Sequence, residues 1–430
     1  MQERSNIKKL LVSLNEAKVI NRIYQTTFYN DEPKVYSFSA QLRNTSKITD
    51  GFSVDKFAGG SSFSKDKALM KAIGEALERH SLSIYREGSF VWDSYSNLKE
   101  KAINPENFIF PYEFKIKSEF KLYNSENNKL NWIKGYSLTQ DEDVFVPAQL
   151  VFVPYRYKKN EPVIQFPIST GAASYSFLKG AILEGLLEVI ERDAFMIYYL
   201  NKISPKIVDI ENSGNKMFEE IISSIKRYNL ELYILDISTE VPVYSILAII
   251  IDRTGLGPAI SLGMKSDLSI KNAIIGSVEE AFHGRFWIRS EMIKKGPKVI
   301  KEIYERRYFI SDIKERGLLW SGLQMIDKIK FFLEGGSVLF KNFPNRKNKN
   351  LNTLLDYFKE ENVEILYVDV TPPNLERRKI YTVKVLIPQF QPLYLDERFP
   401  YWKGKRLEEV PKKLGFMPLR VVNKFPHPFL

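Results

Sequence analysis

Two long stretches with helical periodicity carry the same ExxER charge pattern, and this duplication constrains the fold more than any other feature of the chain. Residues 65–85, KDKALMKAIGEALERHSLSIY, place Leu69, Ile73, Leu77 and Ile84 near helical spacing and contain Glu75, Glu78 and Arg79. Residues 176–201 set Leu183, Leu187, Ile190, Ala194 and Ile197 on one face and contain Glu188, Glu191 and Arg192, with Glu184 one turn earlier. Each stretch predicts a long helix with carboxylates beside its apolar stripe.

Between and after these helices the sequence turns to β-branched and aliphatic runs. LYILDIS (232–238), VYSILAIIID (243–252), PAISLGM (258–264), ILYVDVT (365–371) and YTVKVLIP (381–388) read as strands, with shorter strand-like pieces around Phe145 and Val163. A third helix is predicted from about Ile270 to Lys294. The fold class is therefore mixed α/β (α+β), with mixed sheets and long helices. The expected division is an N-terminal helical and extended segment over 1–55, one main domain over 56–425 and a proline-containing tail over 426–430. The opening stretch MQERSNIKKLLVSLNEAK reads as an amphipathic helix rather than a signal peptide.

Composition removes several kinds of chemistry. The 430 residues include no cysteine, so disulfides, thiolate metal sites and cysteine nucleophiles are excluded. No apolar run approaches the roughly 20 residues of a membrane span, and a cytoplasmic location without membrane contact is the expectation. The 63 Lys and Arg exceed the 52 Asp and Glu, giving a net charge of +11 that is spread along the chain. KNFPNRKNKN (341–350) is the densest basic run and reads as a solvated loop. No zinc-finger spacing, RNP-like aromatic pattern or helix-turn-helix signature is present, and no nucleic-acid partner is expected.

The carboxylates carry the chemical signal. At 100° per residue, Glu75 and Glu78 lie about 60° apart, and Glu184, Glu188 and Glu191 fall within an arc of about 60°. Like charges so stacked oppose one another by a few tenths of a kcal/mol per pair, a cost that cations would offset. Mg²⁺ takes one or two carboxylates together with phosphate oxygens, so two such helices could hold a triphosphate through metal. Ordinary i, i+4 ion pairs, Glu75 with Arg79 and Glu188 with Arg192, account for either helix taken alone. A usual P-loop is absent, because Gly257 to Ser266 has the wrong spacing, and there is no GxGxxG at a strand-helix junction. Phosphate contacts would then come from metal and basic side chains, and the third helix offers Glu280, Arg285 and Arg289.

These motifs resemble the signature of YcaO-domain proteins. The similarity is carried by TGAASYSFLKGAILEGLLEVIERDAF (170–195), GGSSFSKDKALMKAIGEALERHS (59–81), VEEAFHGRF (278–286), DVTPPN (369–374) and VKVLIPQFQPLY (383–394). The resemblance implies ATP and Mg²⁺ as cofactors, with Glu75, Glu78, Glu188 and Glu191 as metal ligands and Lys71, Glu184, Arg192, Glu280 and Arg285 at the nucleotide. Lys71 stands where the family frequently has a small residue, and Arg289 stands where its third motif often has Glu.

Within this family, azoline-forming members tend to end in PxPxP, and this sequence ends Pro426-His427-Pro428-Phe429-Leu430. Pro426, Pro428 and Leu430 are accordingly expected in a catalytic tail, although composition alone describes a solvent-exposed end. The implied activity is that of an ATP-dependent cyclodehydratase subunit, a D-protein of thiazole/oxazole-modified microcin-type biosynthesis. It would phosphorylate backbone amides of a ribosomal precursor peptide to form thiazoline or oxazoline rings from Cys, Ser or Thr. The implied partners are that peptide, an E1-like leader-binding protein and a flavin-dependent azoline dehydrogenase, with a homodimer inside a heteromeric complex. Thioamide or amidine formation, and a nucleotide-binding scaffold role, are the alternatives.

Overall fold

The computed structural model describes residues 14, 16–44, 57–109, 111, 121–211, 213–346 and 350–430, and most of the expected N-terminal helix lies outside them. The chain forms two compact units. The first comprises Met1–Thr26, Tyr36–Val189 and Asn350–Pro392; the second comprises Thr27–Val35, Ile190–Lys349 and Leu393–Leu430.

The first unit contains an antiparallel sheet of β1 (Ile20–Gln25), β2 (Tyr36–Leu42) and β3 (Phe57–Ser62), in that order. Helix α1 (Lys65–Leu82) lies against it. Its N-terminus is capped by the Ser64 hydroxyl, which accepts from the Lys67 amide, and its alanines keep the sheet-facing side thin. Gly60 makes the close approach possible, since a Cβ there would sit 2.3 Å from the Ala72 nitrogen. Ala58, Ala68, Ala72, Ile73, Ala76 and Leu77 fill the interface. At about 25 cal/mol per Å² of apolar surface, this burial is what holds the helix down.

A second sheet in the same unit runs β4 (Val91–Ser94), β5 (Lys129–Ser137), β13 (Leu366–Asp369), β14 (Tyr381–Leu386), β7 (Ala172–Tyr175), with β6 (Glu142–Pro147) also on β5. All its pairings are antiparallel, and Leu130, Trp132, Val146, Leu366 and Val368 are at its core. Just before β7 the chain passes through Gly171 at φ +86°, where a Cβ would stand 2.2 Å from the Val385 carbonyl oxygen. Only glycine fits such a position.

The second unit is built on the sheet β11 (Ile260–Asp267), β10 (Tyr244–Asp252), β9 (Leu230–Asp236), β8 (Lys206–Asp209), β12 (Ser337–Leu339). It is antiparallel except for the β8–β12 pair. Every residue of β10 is buried, which explains its apolar run from Ile246 to Ile251. The long helix α2 (Leu178–Leu200) belongs to the first unit up to Val189 and to the second from Ile190. Helix α3 (Lys216–Arg227) packs on β9, and α4 (Ile270–Glu305) on β10 and β11. Gly263 admits α4, since a Cβ there would meet the Ala281 nitrogen at 2.1 Å.

The third helix was expected to stop near Lys294, whereas α4 continues to Glu305 through a break at Gly296, φ 72° and ψ 170°, immediately before Pro297. Proline disfavours helical geometry in the residue before it, so one helical direction ends where expected and another begins at once. Shorter helices follow, among them α5 (Ile313–Trp320), α6 (Leu351–Glu360) and α7 (Arg406–Lys413). Among the described residues no helix is long and apolar enough to cross a membrane.

Candidate functional site

In the first unit, α1 and α2 each present carboxylates to the residues around β7. Glu78 Oε1 accepts from the Ser174 amide at 3.1 Å, and Glu188 Oε2 accepts from the Gly171 amide at 3.0 Å. Glu75 pairs with Arg79 at 2.7 Å along α1. A hydroxyl chain fastens the same region: Ser81 donates to Thr382 Oγ1 at 3.1 Å, and Thr382 and Ser174 hydroxyls lie 2.8 Å apart.

The electrostatics of this group are unfavourable without a cation. Loss of water around Glu78, followed by the charges of Glu75 and Glu188, holds its carboxyl well above the usual carboxylate range. The Ser174 hydrogen bond and Arg79 act the other way but do not prevail. Lys384 is the buried cation nearby, and its Nζ donates to the carbonyls of Ile168 at 2.5 Å and Thr170 at 2.6 Å. Burial pushes this amine down to about 7, against the opposing pull of Glu188. Among the described residues no three Asp, Glu or His side chains converge on a single point as a ready-made cage. Mg²⁺ does not require one, because it uses one or two carboxylates and completes its octahedron with phosphate and water oxygens. The Glu78 and Glu188 carboxylates, with Glu75 beside them, are oxygen donors of the kind such an ion takes.

Lys71 is exposed on α1, and Glu184 is half-buried one turn before Glu188 on α2. Lys71, Glu75, Glu78, Glu184 and Glu188 all belong to the first unit.

The second unit holds the other expected residues. Glu191 is 4% exposed; its Oε2 accepts from the Ser266 amide at 2.6 Å and its Oε1 is paired with Arg192. Glu280 Oε2 accepts from the Met264 amide at 2.5 Å, and its other oxygen is 4.0 Å from the Arg192 guanidinium. Met264 and Ser266 lie on β11, the end strand of the sheet order, so two amides not used by β10 are taken by carboxylates.

Arg285, expected at the nucleotide, is enclosed by protein groups of its own unit. Its side chain is 2% exposed and is bonded to Glu32 through Nε, to Asp252 Oδ2 at 2.6 Å and to the Pro258 carbonyl at 3.0 Å. Arg289 completes the cluster with Asp31 at 2.6 Å and Glu32 at 2.7 Å. These guanidinium charges are neutralised inside the unit. Sequence reasoning missed Asp31, Glu32 and Asp252, and nothing in their local sequence marks them.

Residues 425–430 are docked rather than exposed, which reverses what composition suggests. The Tyr199 hydroxyl donates to the carbonyls of Phe425 at 3.1 Å and Pro426 at 3.0 Å. Arg316, fully buried and paired with Glu397 at 2.8 Å, donates to the His427 carbonyl at 2.9 Å and the Leu395 carbonyl at 2.8 Å. His427 Nε2 lies 2.5 Å from the Tyr394 carbonyl, so this nitrogen carries the proton. Burial, then Arg316, keeps the His427 imidazole neutral, well below its ordinary range. Pro426, Pro428 and Phe429 are buried, and the Leu430 side chain reaches the surfaces of Gly284 on α4 and Gly317 on α5. The Phe429 ring lies under the Arg192 guanidinium, 4.2 Å from centroid to Cζ.

Comparison with known proteins agrees with this architecture. A family model described as YcaO cyclodehydratase, ATP- and Mg²⁺-binding, matches residues 59–391. An uncharacterized protein of Methanothermobacter thermautotrophicus is 28% identical over 270 residues, 62% of this chain and 65% of that protein. A heterocyclase solved in complex with substrate and cofactor superposes with a TM-score of 0.76 at 20% identity, covering 96% of this chain and 55% of the heterocyclase. The chain thus spans about half the length of that protein. YcaO from Methanopyrus kandleri, bound with AMPPCP and Mg²⁺, superposes with a TM-score of 0.62 at 18% identity, covering 92% of this chain and 93% of that one. ATP and Mg²⁺ are the cofactors of the matched family.

Proposed function

This chain belongs to the YcaO cyclodehydratase family, and from that premise we propose that it activates backbone amides of a peptide with ATP, closing Cys, Ser or Thr side chains into azoline rings. The observation that carries the proposal is the Glu75, Glu78 and Glu188 group, whose central carboxyl is pushed well above the usual carboxylate range by burial and then by the charges of Glu75 and Glu188. Glu78 and Glu188, fixed by the Ser174 and Gly171 amides, are the proposed Mg²⁺ ligands of the first unit, with Glu75 beside them and Lys71 and Glu184 toward the nucleotide. Glu191 keeps the expected role of metal ligand, and Arg192 and Glu280 that of nucleotide contacts.

The chemistry follows from what the amide lacks. Its oxygen is a poor leaving group: the side-chain O–H or S–H adds to the carbonyl carbon, gives up its proton to solvent or a base, and leaves an oxyanion that cannot depart as it stands. That oxyanion takes the γ-phosphoryl group of ATP, ADP departs, and loss of phosphate with the amide proton leaves the C=N bond of the azoline. Mg²⁺ neutralises charge on the phosphates when bound. Arg192, a planar fork that cannot lose its proton, suits a phosphate oxygen. The docked 426–430 segment, with Pro426, Pro428 and Leu430, is the proposed wall of the reacting site. Azoline formation is favoured over thioamide or amidine formation by the likeness to a heterocyclase.

The proposed partners are a ribosomal precursor peptide, an E1-like protein that binds its leader and a flavin-dependent azoline dehydrogenase. Peptide-dependent release of ADP and phosphate, followed by mass spectrometry of the peptide, tests the reading. Loss of one water per ring supports it, and loss of turnover in Glu78→Gln assigns the metal group. A gain in mass from oxygen-to-sulfur exchange would assign thioamide formation instead. ATP binding without turnover would make the protein a scaffold.

A further inference from the structure

The second unit joins two features that the sequence kept apart, the Glu191–Arg192 pair and the last residues of the chain. Arg192 has an anion on one side, Glu191, with Glu280 4.0 Å from its other terminal nitrogen. Both carboxylates are pinned by amides of β11, so neither is free to follow the guanidinium. Its flat face is set by the Phe429 ring at 4.2 Å. Phe429 is itself 2% exposed and rests against Phe195 of α2, with ring centroids 5.7 Å apart.

We infer that Phe429 is a positioning residue for Arg192, so that the nucleotide contact forms fully only while the 425–430 segment is docked. An arginine between two fixed carboxylates can rotate about its own long side chain, and an aromatic face beneath the guanidinium removes that freedom while adding quadrupole attraction. The ring, in turn, is fixed at a distance: Tyr199 holds the Phe425 and Pro426 carbonyls, and Arg316 holds that of His427. Undocking the segment takes the ring away from Arg192 without touching any carboxylate. Segment position and nucleotide affinity are thereby coupled, and by linkage nucleotide binding must favour the docked segment to the same degree.

The inference rests on the proposed role of Arg192 at the nucleotide, and the experiment separates the two. The full chain is titrated calorimetrically with AMPPCP and Mg²⁺ as wild type, Phe429→Leu, Phe429→Trp, Tyr199→Phe and Arg192→Met, while hydrogen exchange over 423–430 reports docking. Phe429→Leu, which keeps bulk and loses the π face, should weaken binding about three- to tenfold with docking retained, and Phe429→Trp should restore it to within about twofold. Tyr199→Phe should lower protection of the segment and weaken binding in step, with Phe429 itself intact. A weak Arg192→Met beside an unchanged Phe429→Leu overturns the coupling and leaves the nucleotide role standing. Unchanged binding in Arg192→Met overturns both. If Phe429→Leu undocks the segment, Tyr199→Phe decides, since unchanged affinity with an exposed segment also overturns the inference.

Discussion

Arg285 donates through Nε to both carboxylate oxygens of Glu32, at 3.0 and 2.8 Å, although the two residues stand 253 positions apart in the chain. With Asp252 on its other side, this guanidinium ties the Thr27–Val35 segment to α4 and to the end of β10 inside one unit.

Arg285→Met should therefore act on stability. It leaves Glu32 and Asp252 buried without that partner, and breaking a buried charge pair in this way costs about 3–5 kcal/mol. Denaturant titration should show that loss, while the folded variant keeps its affinity for AMPPCP and Mg²⁺. A loss of affinity with unchanged stability would return Arg285 to the nucleotide.

Glu78→Gln should stabilise the metal-free protein at neutral pH. Because the folded carboxyl is raised above its unfolded range, the wild-type contribution is fully present at low pH and is lost as pH rises through the folded value. The amide variant has no such loss. Thermal melts between about pH 4 and pH 8 should diverge on the alkaline side, and Mg²⁺ with AMPPCP should stabilise the wild type more than the variant. Parallel melts at every pH would show that Glu78 carries no such strain.

Lys384 gives the opposite slope. Its amine is pushed by burial from its ordinary value of 10.5 down to about 7, so the unfolded chain binds the extra proton across that window. Stability from this group rises with pH from about 7 upward and is absent below it. Lys384→Met should flatten that rise in melts followed across the same window, and a rise that persists in the variant would place its origin elsewhere.

Gly171→Ala should be costly at one position and in two ways. A positive φ of this kind strains a non-glycine residue by about 1–3 kcal/mol, and the added Cβ meets the Val385 carbonyl oxygen at 2.2 Å. The Gly171 amide that holds Glu188 must move as well. Peptide-dependent ATP turnover should fall further than the loss of folded protein explains, whereas proportional losses would limit Gly171 to a structural role.

The helices were legible because their signals are local. α1 begins one residue after the Ser64 cap and ends within a few residues of its predicted stop, and α2 differs from its predicted span by no more than two residues at either end. The strands at 230–236, 244–252 and 260–267 follow from their β-branched runs with shifts of one to three residues. What composition could not convey is who faces whom. Glu32 and Arg285 sit in unrelated local sequences, and the boundary between the units falls between Val189 and Ile190 of α2, where no proline or glycine marks it. The burial of 425–430 depends on Tyr199, Arg316 and Tyr394, none of which is near it in sequence. The carboxylates were found through their duplication, but their individual anchors, the amides of Gly171, Ser174, Met264 and Ser266, are backbone groups that no residue type announces.

Those last two anchors complete the backbone as well as placing the chemistry. β11 ends its sheet, and Met264 and Ser266 are buried, so amides that β10 does not take need acceptors from elsewhere in the chain. Glu280 and Glu191 supply them. Replacing either with a residue that has no acceptor would orphan a buried amide at a cost of about 1–3 kcal/mol, so the glutamates proposed to serve the nucleotide also finish the edge of their sheet.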